Sequence, residues 1–131
     1  MTSVKKKIYF HQCDPAGILF FGEIFSIAHS AFEDFLSDIG IAGEYFALKI
    51  NAFPIISASA QYLKPLKHND EITVDISLKE IGTTSFQLLF QVYNTSYEIS
   101  AEVNIAHVCV NAKTFRKSPL TKRIKTVLEE L

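Results

Sequence analysis

Apolar and polar residues follow two different periods along this 131-residue chain, and the changes of period predict its elements. From Val4 to His11 the two kinds of residue alternate one by one, which is typical of a short strand. The sequence Asp14-Pro15-Ala16-Gly17 then predicts a turn, because proline disfavours the helical region for the residue before it and glycine adopts a positive φ at no steric cost.

One long amphipathic helix is predicted after this turn. From Phe21 to Ile39 apolar residues recur at steps of three and four, the spacing of a broad apolar stripe, while the opposite face is acidic and hydroxyl-bearing. Gly40 predicts the end of the helix. A helix with so wide a stripe is not stable alone, so we expect it to lie across a sheet.

Alternation with a period of two predicts four further strands, at residues 56–62, 72–78, 86–92 and 101–110. In the last strand the apolar phase shifts between Ile105 and Ala106, which indicates either a bulge or burial of both faces. A short C-terminal helix follows, with Ser118 as candidate N-cap and Pro119 in its first turn. Consecutive strands without helical crossovers favour an antiparallel sheet covered on one face, and so an α+β fold.

Composition narrows the class of protein. The length suits a single domain over residues 1–131, and 48% apolar residues supply a core. Thirteen basic against fourteen acidic residues give a net charge of -1, which argues against a nucleic-acid partner. Two cysteines, Cys13 and Cys109, favour a reducing cytoplasm. No apolar run approaches the about 20 residues of a membrane span, so we expect a cytoplasmic protein with no membrane partner.

Three segments, in this order, carry a family resemblance. They are the 11–21 segment that contains Asp14, the sequence Tyr62-Leu63-Lys64-Pro65 with Asp70, and the sequence His107-Val108-Cys109-Val110 with Arg116. They resemble the aspartate motif, the second-strand signature and the last strand of the 4-hydroxybenzoyl-CoA thioesterase family. The resemblance implies a hotdog fold, an antiparallel sheet wrapped around one long helix, and hydrolysis of an acyl-CoA to free acid and CoA without a cofactor.

Thioester hydrolysis needs an attacking oxygen and N–H donors for the oxyanion. The start of the predicted helix supplies unpaired N–H groups, which makes the backbone at Phe21 and Gly22 the candidate donor. Taken alone, an Asp-Pro-x-Gly sequence is ordinarily a turn. The resemblance implies that Asp14 is the nucleophile or the general base towards water. Gly22 stands where the Tol-Pal branch of the family carries a histidine, so a histidine-assisted mechanism is not implied.

Basic residues are unevenly distributed. No lysine or arginine lies between residues 8 and 48, whereas six of the thirteen fall between Lys113 and Lys125 in a stretch without acids. CoA carries phosphate groups, which basic side chains bind, although an ordinary solvated surface is the alternative. The candidate contacts are Lys64, Lys67, His68, Lys113, Arg116 and Lys117.

Other residues are weaker candidates. His29 and Glu33 lie one turn apart on the predicted helix, where a related hotdog group carries its catalytic carboxylate. Glu33 is a candidate catalytic residue or a contributor from across a dimer, and His29 is a candidate pocket or interface residue; the alternative is a surface pair. His11 and Cys13 alternate onto one face of the first predicted strand, as a base and nucleophile would, but a catalytic cysteine usually lies at a helix start or in an electropositive pocket, which argues against this pair. Four scattered histidines without ligand spacing argue against a metal site.

The segment from Ile27 to Glu33 looks most like the branch that hydrolyses 1,4-dihydroxy-2-naphthoyl-CoA. The alternatives are 4-hydroxybenzoyl-CoA, short or medium acyl-CoA, and a non-catalytic hotdog that binds acyl-CoA or an acyl-carrier protein. A homodimer or homotetramer is expected, because family sheets join edge to edge, with the acyl pocket at the interface. A preference for aromatic acyl groups is predicted from Phe20, Phe21, Phe25 and Phe32.

Overall fold

The computed structural model describes residues 1–47 and 49–131, and its main feature is a five-stranded sheet. The strands are β1 (Thr2–Lys7), β3 (Ile55–Tyr62), β4 (Glu71–Ile81), β5 (Ser85–Tyr93) and β6 (Ile99–Val108). Their order is β1-β4-β5-β6-β3, and every neighbouring pair is antiparallel, as predicted. Side chains along β5 alternate between buried and half-buried, so one face of the sheet carries the core.

The long helix α1 (Glu23–Asp38) packs on the sheet with its apolar stripe buried, which confirms the periodicity argument. It begins two residues later than predicted, with Gly22 as N-cap. At the other end Gly40 has φ +76° and donates its N–H to the Ser37 carbonyl at 3.0 Å, while Ile41 donates to the Leu36 carbonyl at 2.9 Å. These two bonds form a Schellman motif, which explains why the helix ends before this glycine.

Two small elements escaped the sequence analysis. Helix α2 (Ala42–Phe46) follows α1 directly, and a two-stranded ribbon pairs β2 (Asn51–Ala52) with β7 (Val110–Asn111). Each is too short to display a period. None of the helices in the described residues combines the length and the apolar character needed to cross a membrane.

The C-terminal helix α3 (Lys122–Glu129) begins later than predicted. Its N-cap is Thr121, whose side-chain oxygen accepts the Ile124 N–H at 3.2 Å, and not Ser118. Ser118 instead donates its N–H to the Cys109 carbonyl at 2.9 Å, which holds this segment extended against the end of the sheet. Pro119 therefore precedes the helix and does not lie in its first turn.

The first strand is shorter than predicted. Beyond Lys7, Ile8 exchanges hydrogen bonds with the turn at residues 69–70, and Phe10–Gln12 forms a single turn of 3-10 helix. His11 stacks on Tyr9, and the Cys13 thiol donates to the Tyr9 carbonyl at 3.7 Å. His11 and Cys13 thus share no strand face, which agrees with the argument against a base and nucleophile pair at these residues.

The pair formed by β3 and β6 closes one side of the sheet. From His107 to Val110 every residue is buried, so both faces of the chain are covered there, which is one of the two predicted alternatives. The register irregularity lies in β3, between Ile55 and Ser57. Strand β3 is also an edge of the sheet, and its side chains are exposed except for the half-buried Ala60.

Candidate active site

A tight loop turns Asp14 back towards the start of α1. The Asp14 N–H donates to the Ile18 carbonyl at 2.9 Å, and the Gly17 N–H donates to the Asp14 carbonyl at 2.9 Å. Gly17 has φ +83°, a conformation that glycine adopts without strain. Within the side chain, Asp14 Oδ1 accepts the Ala16 N–H at 2.8 Å, while Oδ2 accepts no hydrogen bond from the described residues. Asp14 is half-buried, so one carboxylate oxygen supports the turn and the other is available for chemistry.

The loop is fixed to the turn that follows β3. Leu19 donates its N–H to the Leu66 carbonyl at 2.7 Å, and Ile18 pairs with Lys67. That turn is closed by Asp70, whose Oδ2 accepts the Lys67 N–H at 2.9 Å. The aspartate motif and the second-strand signature, which are distant in the sequence, are therefore neighbours in the fold.

The two candidate oxyanion donors lie immediately before α1. The Glu23 N–H donates to the Phe20 carbonyl at 2.9 Å, which forms a turn around Phe21 and Gly22. Neither the Phe21 N–H nor the Gly22 N–H donates a hydrogen bond within the described residues. Unpaired N–H groups at a helix start carry partial positive charge and bind a developing anion. A Cβ on Gly22 would approach the Phe20 ring at 3.2 Å, so glycine also leaves room at this point.

An apolar cavity of about 250 Å³ adjoins the loop, the start of α1 and the end of β3. The phenylalanines that predict an aromatic acyl pocket do not form one wall. Phe20 and Phe21 are exposed and tilted against each other at 4.7 Å between ring centroids, whereas Phe25 is half-buried and Phe32 is wholly buried in the core. The cavity is lined on one side by residues of the loop and the start of α1 and on the other by residues at the end of β3, among them Ile18, Leu19, Ile24, Tyr62 and Leu63.

The candidate CoA contacts fall into two groups at opposite ends of β6. Lys64 donates its backbone N–H to the Ser100 carbonyl at 3.1 Å and forms an ion pair with Glu98, so it lies at the start of the strand, near Asp14. Arg116 lies at the far end, where its carbonyl accepts the Asn111 N–H at 2.8 Å. At about 3.3 Å per residue, roughly 30 Å separates the two ends. Lys67 and His68 belong to the first group, and Lys113 and Lys117 to the second.

His29 and Glu33 do not pair with each other. The His29 ring, half-buried on α1, lies 6.3 Å from the His107 ring and 6.2 Å from the Phe46 ring, whereas Glu33 is exposed. His29 therefore belongs to an aromatic cluster between α1 and the sheet. The surface pair that formed the simpler alternative is not made.

His107 is the residue whose environment the sequence did not reveal. It is 1% exposed, its Nδ1 lies 3.1 Å from the Phe53 carbonyl oxygen, and its Nε2 has no partner among the described residues. Burial lowers the pKa of His107 to about 4, and the nearby His29 contributes to that lowering. A lone histidine gives no periodic signal of its own. The burial of His107 is indicated only by its position on the same strand face as Ala101, Val103 and Ile105.

No group of three or more metal-ligating side chains converges in residues 1–47 and 49–131. The buried Cys109 thiol lies 3.8 Å from the Pro119 carbonyl, and burial raises its pKa. A thiol held protonated in this way is a poor nucleophile, which leaves the Asp14 carboxylate as the stronger candidate.

Comparison with known proteins identifies the family of this chain. One antiparallel sheet that holds a single long helix, with an aspartate loop at the helix start, defines the chain as a hotdog protein of the thioesterase type. Residues 8–128 match the family model described as "Thioesterase-like superfamily", and the chain belongs to that superfamily. The predicted fold and the predicted class of enzyme are thereby confirmed.

Two relatives of at least 30% identity are named for the same substrate. A 1,4-dihydroxy-2-naphthoyl-CoA hydrolase from Prochlorococcus marinus (strain NATL1A) is 32% identical over 97% of this chain and 89% of its own length. Another from Microcystis aeruginosa is 30% identical over 92% of this chain and 88% of its own. Among solved structures, a 1,4-dihydroxy-2-naphthoyl-CoA thioesterase from Synechocystis aligns with TM-score 0.90 and 21% identity, covering 98% of this chain and 96% of that one. A gentisyl-coenzyme A thioesterase aligns with TM-score 0.85 and 23% identity over 97% and 99%.

Proposed function

We propose that this protein hydrolyses 1,4-dihydroxy-2-naphthoyl-CoA to the free acid and CoA, with Asp14 as the reactive carboxylate. The observation that carries the proposal is the half-buried Asp14 with one unengaged oxygen, on a loop hydrogen-bonded to the segment just before α1. The relatives at 30% and 32% identity, both named for this substrate, support the choice of acyl group.

The reaction adds water across the thioester. Asp14 either attacks the carbonyl carbon, with water later hydrolysing the mixed anhydride, or removes a proton from the attacking water. In both routes the carbon–sulfur bond breaks, the acyl group gains an oxygen atom, and the CoA thiolate takes up a proton. The N–H groups of Phe21 and Gly22 stabilise the negative charge that develops on the carbonyl oxygen.

We further propose that the working unit is at least a homodimer, formed by antiparallel pairing of two β3 edges. The exposed side chains of Ile55 (48%) and Ile56 (62%) support this, because an edge strand with exposed apolar residues is otherwise prone to unspecific pairing. Antiparallel pairing reverses the partner's strand, so the basic group at the partner's Arg116 approaches the Lys64 group of the first chain. A single CoA then reaches both groups, which one chain holds roughly 30 Å apart.

The decisive experiment measures thiol release from a panel of acyl-CoA thioesters at matched concentrations. The panel contains 1,4-dihydroxy-2-naphthoyl-CoA, gentisyl-CoA, 4-hydroxybenzoyl-CoA and a medium-chain aliphatic acyl-CoA. The proposal requires the highest kcat/KM for the naphthoyl thioester. A higher value for another member reassigns the substrate, and saturable binding without thiol release from any member identifies a non-catalytic acyl-CoA binder. Expression as a fusion in intact cells tests the expected cytoplasmic location separately.

A further inference from the structure

The hydroxyl of Tyr62 binds the backbone at the start of α1. Tyr62 is the last residue of β3, and its hydroxyl donates to the Phe21 carbonyl at 2.5 Å. This contact joins residues that are 41 positions apart. Partial burial raises the pKa of Tyr62, so its hydroxyl remains protonated, and a donor, throughout the neutral range.

The accepting carbonyl belongs to the same peptide unit as the Gly22 N–H. A peptide unit is planar and trans, so its carbonyl oxygen and its N–H point in opposite directions. Fixing the Phe21 oxygen therefore fixes the direction of the Gly22 N–H. The neighbouring unit is held similarly, because the Phe20 carbonyl accepts the Glu23 N–H at 2.9 Å and so orients the Phe21 N–H.

The two units differ in what holds them. The Phe20 carbonyl is bound from within the first turn of α1, whereas the Phe21 carbonyl has only the Tyr62 hydroxyl as its partner among the described residues. A hydrogen bond accepted by a carbonyl also polarises its peptide unit and makes the N–H a stronger donor. Removal of the hydroxyl thus leaves the Gly22 unit free to turn and weakens its N–H.

We infer that Tyr62 is a positioning residue for thioester hydrolysis, which acts through the Phe21–Gly22 peptide to aim the Gly22 N–H at the carbonyl oxygen of the substrate. This inference rests on the proposed function. In this inference, the Tyr62 side chain on the edge strand contributes to transition-state stabilisation, and the Asp14 loop does not supply that contribution.

The test compares Tyr62→Phe with a matched control. Tyr97→Phe also removes one tyrosine hydroxyl, in the turn between β5 and β6, where it accepts a hydrogen bond from Lys5 at 2.7 Å. Loss of a whole oxyanion donor lowers kcat by about 10²–10³. Tyr62→Phe keeps both N–H donors but leaves one of them poorly oriented, so we expect kcat to fall by about tenfold. Tyr62→Phe should lower kcat by that amount with KM within about twofold, since the effect is confined to the transition state. Tyr97→Phe should match the wild-type protein.

A spectroscopic measurement separates positioning from simple structural support. In an Asp14→Asn background that slows turnover, the carbonyl stretch of the bound thioester is expected at lower frequency than in solution. Adding Tyr62→Phe should reduce that displacement. A lower melting temperature with unchanged kcat and unchanged stretch overturns the inference while the thioesterase function stands. Absence of thiol release by the wild-type protein with every thioester overturns the proposed function, and the inference with it.

Discussion

The imidazole of His107 lies parallel to the ring of Phe86, with 4.8 Å between the ring centroids and 12° between the ring planes. Residues from α2 and the following segment close the same cluster, where Tyr45 stacks on Phe53 at 4.2 Å. Neither the Tyr45 hydroxyl nor His107 Nε2 has a hydrogen-bond partner among the described residues. Such a cluster accommodates the neutral imidazole and disfavours the charged one.

This environment makes the stability of the protein depend on pH. Burial holds the folded-state pKa of His107 at about 4, below its ordinary value of 6.5, so the unfolded chain binds the proton first as the pH falls. The contribution of neutral His107 to the free energy of unfolding is complete above about pH 6.5, and about 3 kcal/mol of it is lost as the pH falls to about 4. Urea unfolding at a series of pH values measures this. His107→Gln, which does not titrate, should have a shallower dependence, and equal slopes would contradict the prediction.

Replacement of Asp14 by asparagine separates catalysis from the turn. The asparagine side chain keeps an Oδ1 that accepts the Ala16 N–H but carries no charge, so kcat should fall by about two to four orders of magnitude with little change in KM or melting temperature. Steady-state kinetics and thermal unfolding on one sample measure both. Asp14→Ala, which also removes the acceptor, should lose thermal stability as well. Wild-type kcat in the asparagine variant would exclude Asp14 and make Glu33→Gln the next variant to measure.

The second basic group should recognise the nucleotide part of the substrate. Arg116→Ala is expected to raise KM for an acyl-CoA by roughly tenfold, the size of one charge-assisted hydrogen bond, with kcat unchanged. Lys125→Ala, in the same basic segment but on α3, serves as control and should leave KM unchanged. The corresponding acyl N-acetylcysteamine thioester lacks the phosphates and should respond to neither variant. An equal rise in KM for both thioesters with Arg116→Ala would place its role outside nucleotide binding.

Breaking the β3 edge should dissociate the proposed dimer. Ile56→Lys places a charge on a residue that is 62% exposed in the single chain, so the fold is expected to persist. Light scattering coupled to gel filtration should find a dimer or tetramer for the wild-type protein and a monomer for the variant. Circular dichroism checks that the variant is folded. A wild-type monomer with full activity at the same concentration would contradict the prediction.

The preference for aromatic acyl groups remains a prediction, now resting on fewer residues. Phe20 and Phe21 lie exposed beside the loop, whereas Phe32 belongs to the core. Phe20→Leu should therefore lower kcat/KM for an aromatic thioester more than for an aliphatic one of similar volume. Phe115→Leu, an exposed phenylalanine after β7, is the control. A higher kcat/KM of the wild-type protein for long-chain aliphatic thioesters would show that the assignment is wrong.

Periodicity predicts the long elements and fails where apolar residues are exposed and belong to neither the helix nor the strand. Phe21 continues the helical spacing although it lies outside α1, and Phe10 continues the strand alternation although it lies in a 3-10 turn. Both are exposed side chains near Asp14 that no core requires. Strand β3 lies where the alternation predicts it, yet its apolar side chains are exposed, because alternation indicates an apolar face without indicating what packs against it.

The candidate site depends on two kinds of argument. Asp14 is a candidate through a resemblance, since an Asp-Pro-x-Gly sequence alone indicates no more than a turn, whereas Phe21 and Gly22 are candidates because a helix start has unpaired N–H groups. The contact from Tyr62 depends on the side chain of the last residue of β3 crossing to the helix start, and no local pattern encodes it. The separation of the basic residues into two groups likewise follows from the length of β6.

The hydrogen bond from the Ala16 N–H to Asp14 Oδ1 makes the two oxygens of this carboxylate distinct. This bond favours the orientation that leaves Oδ2 unengaged, so Oδ2 is the oxygen that we expect to react. If Asp14 is the nucleophile and water attacks the aspartyl carbon of the anhydride, oxygen from isotopically labelled water enters one atom of the aspartate and the other keeps its original isotope. A single turnover in labelled water would then leave the label in Asp14, whereas the general-base route would place it only in the released acid.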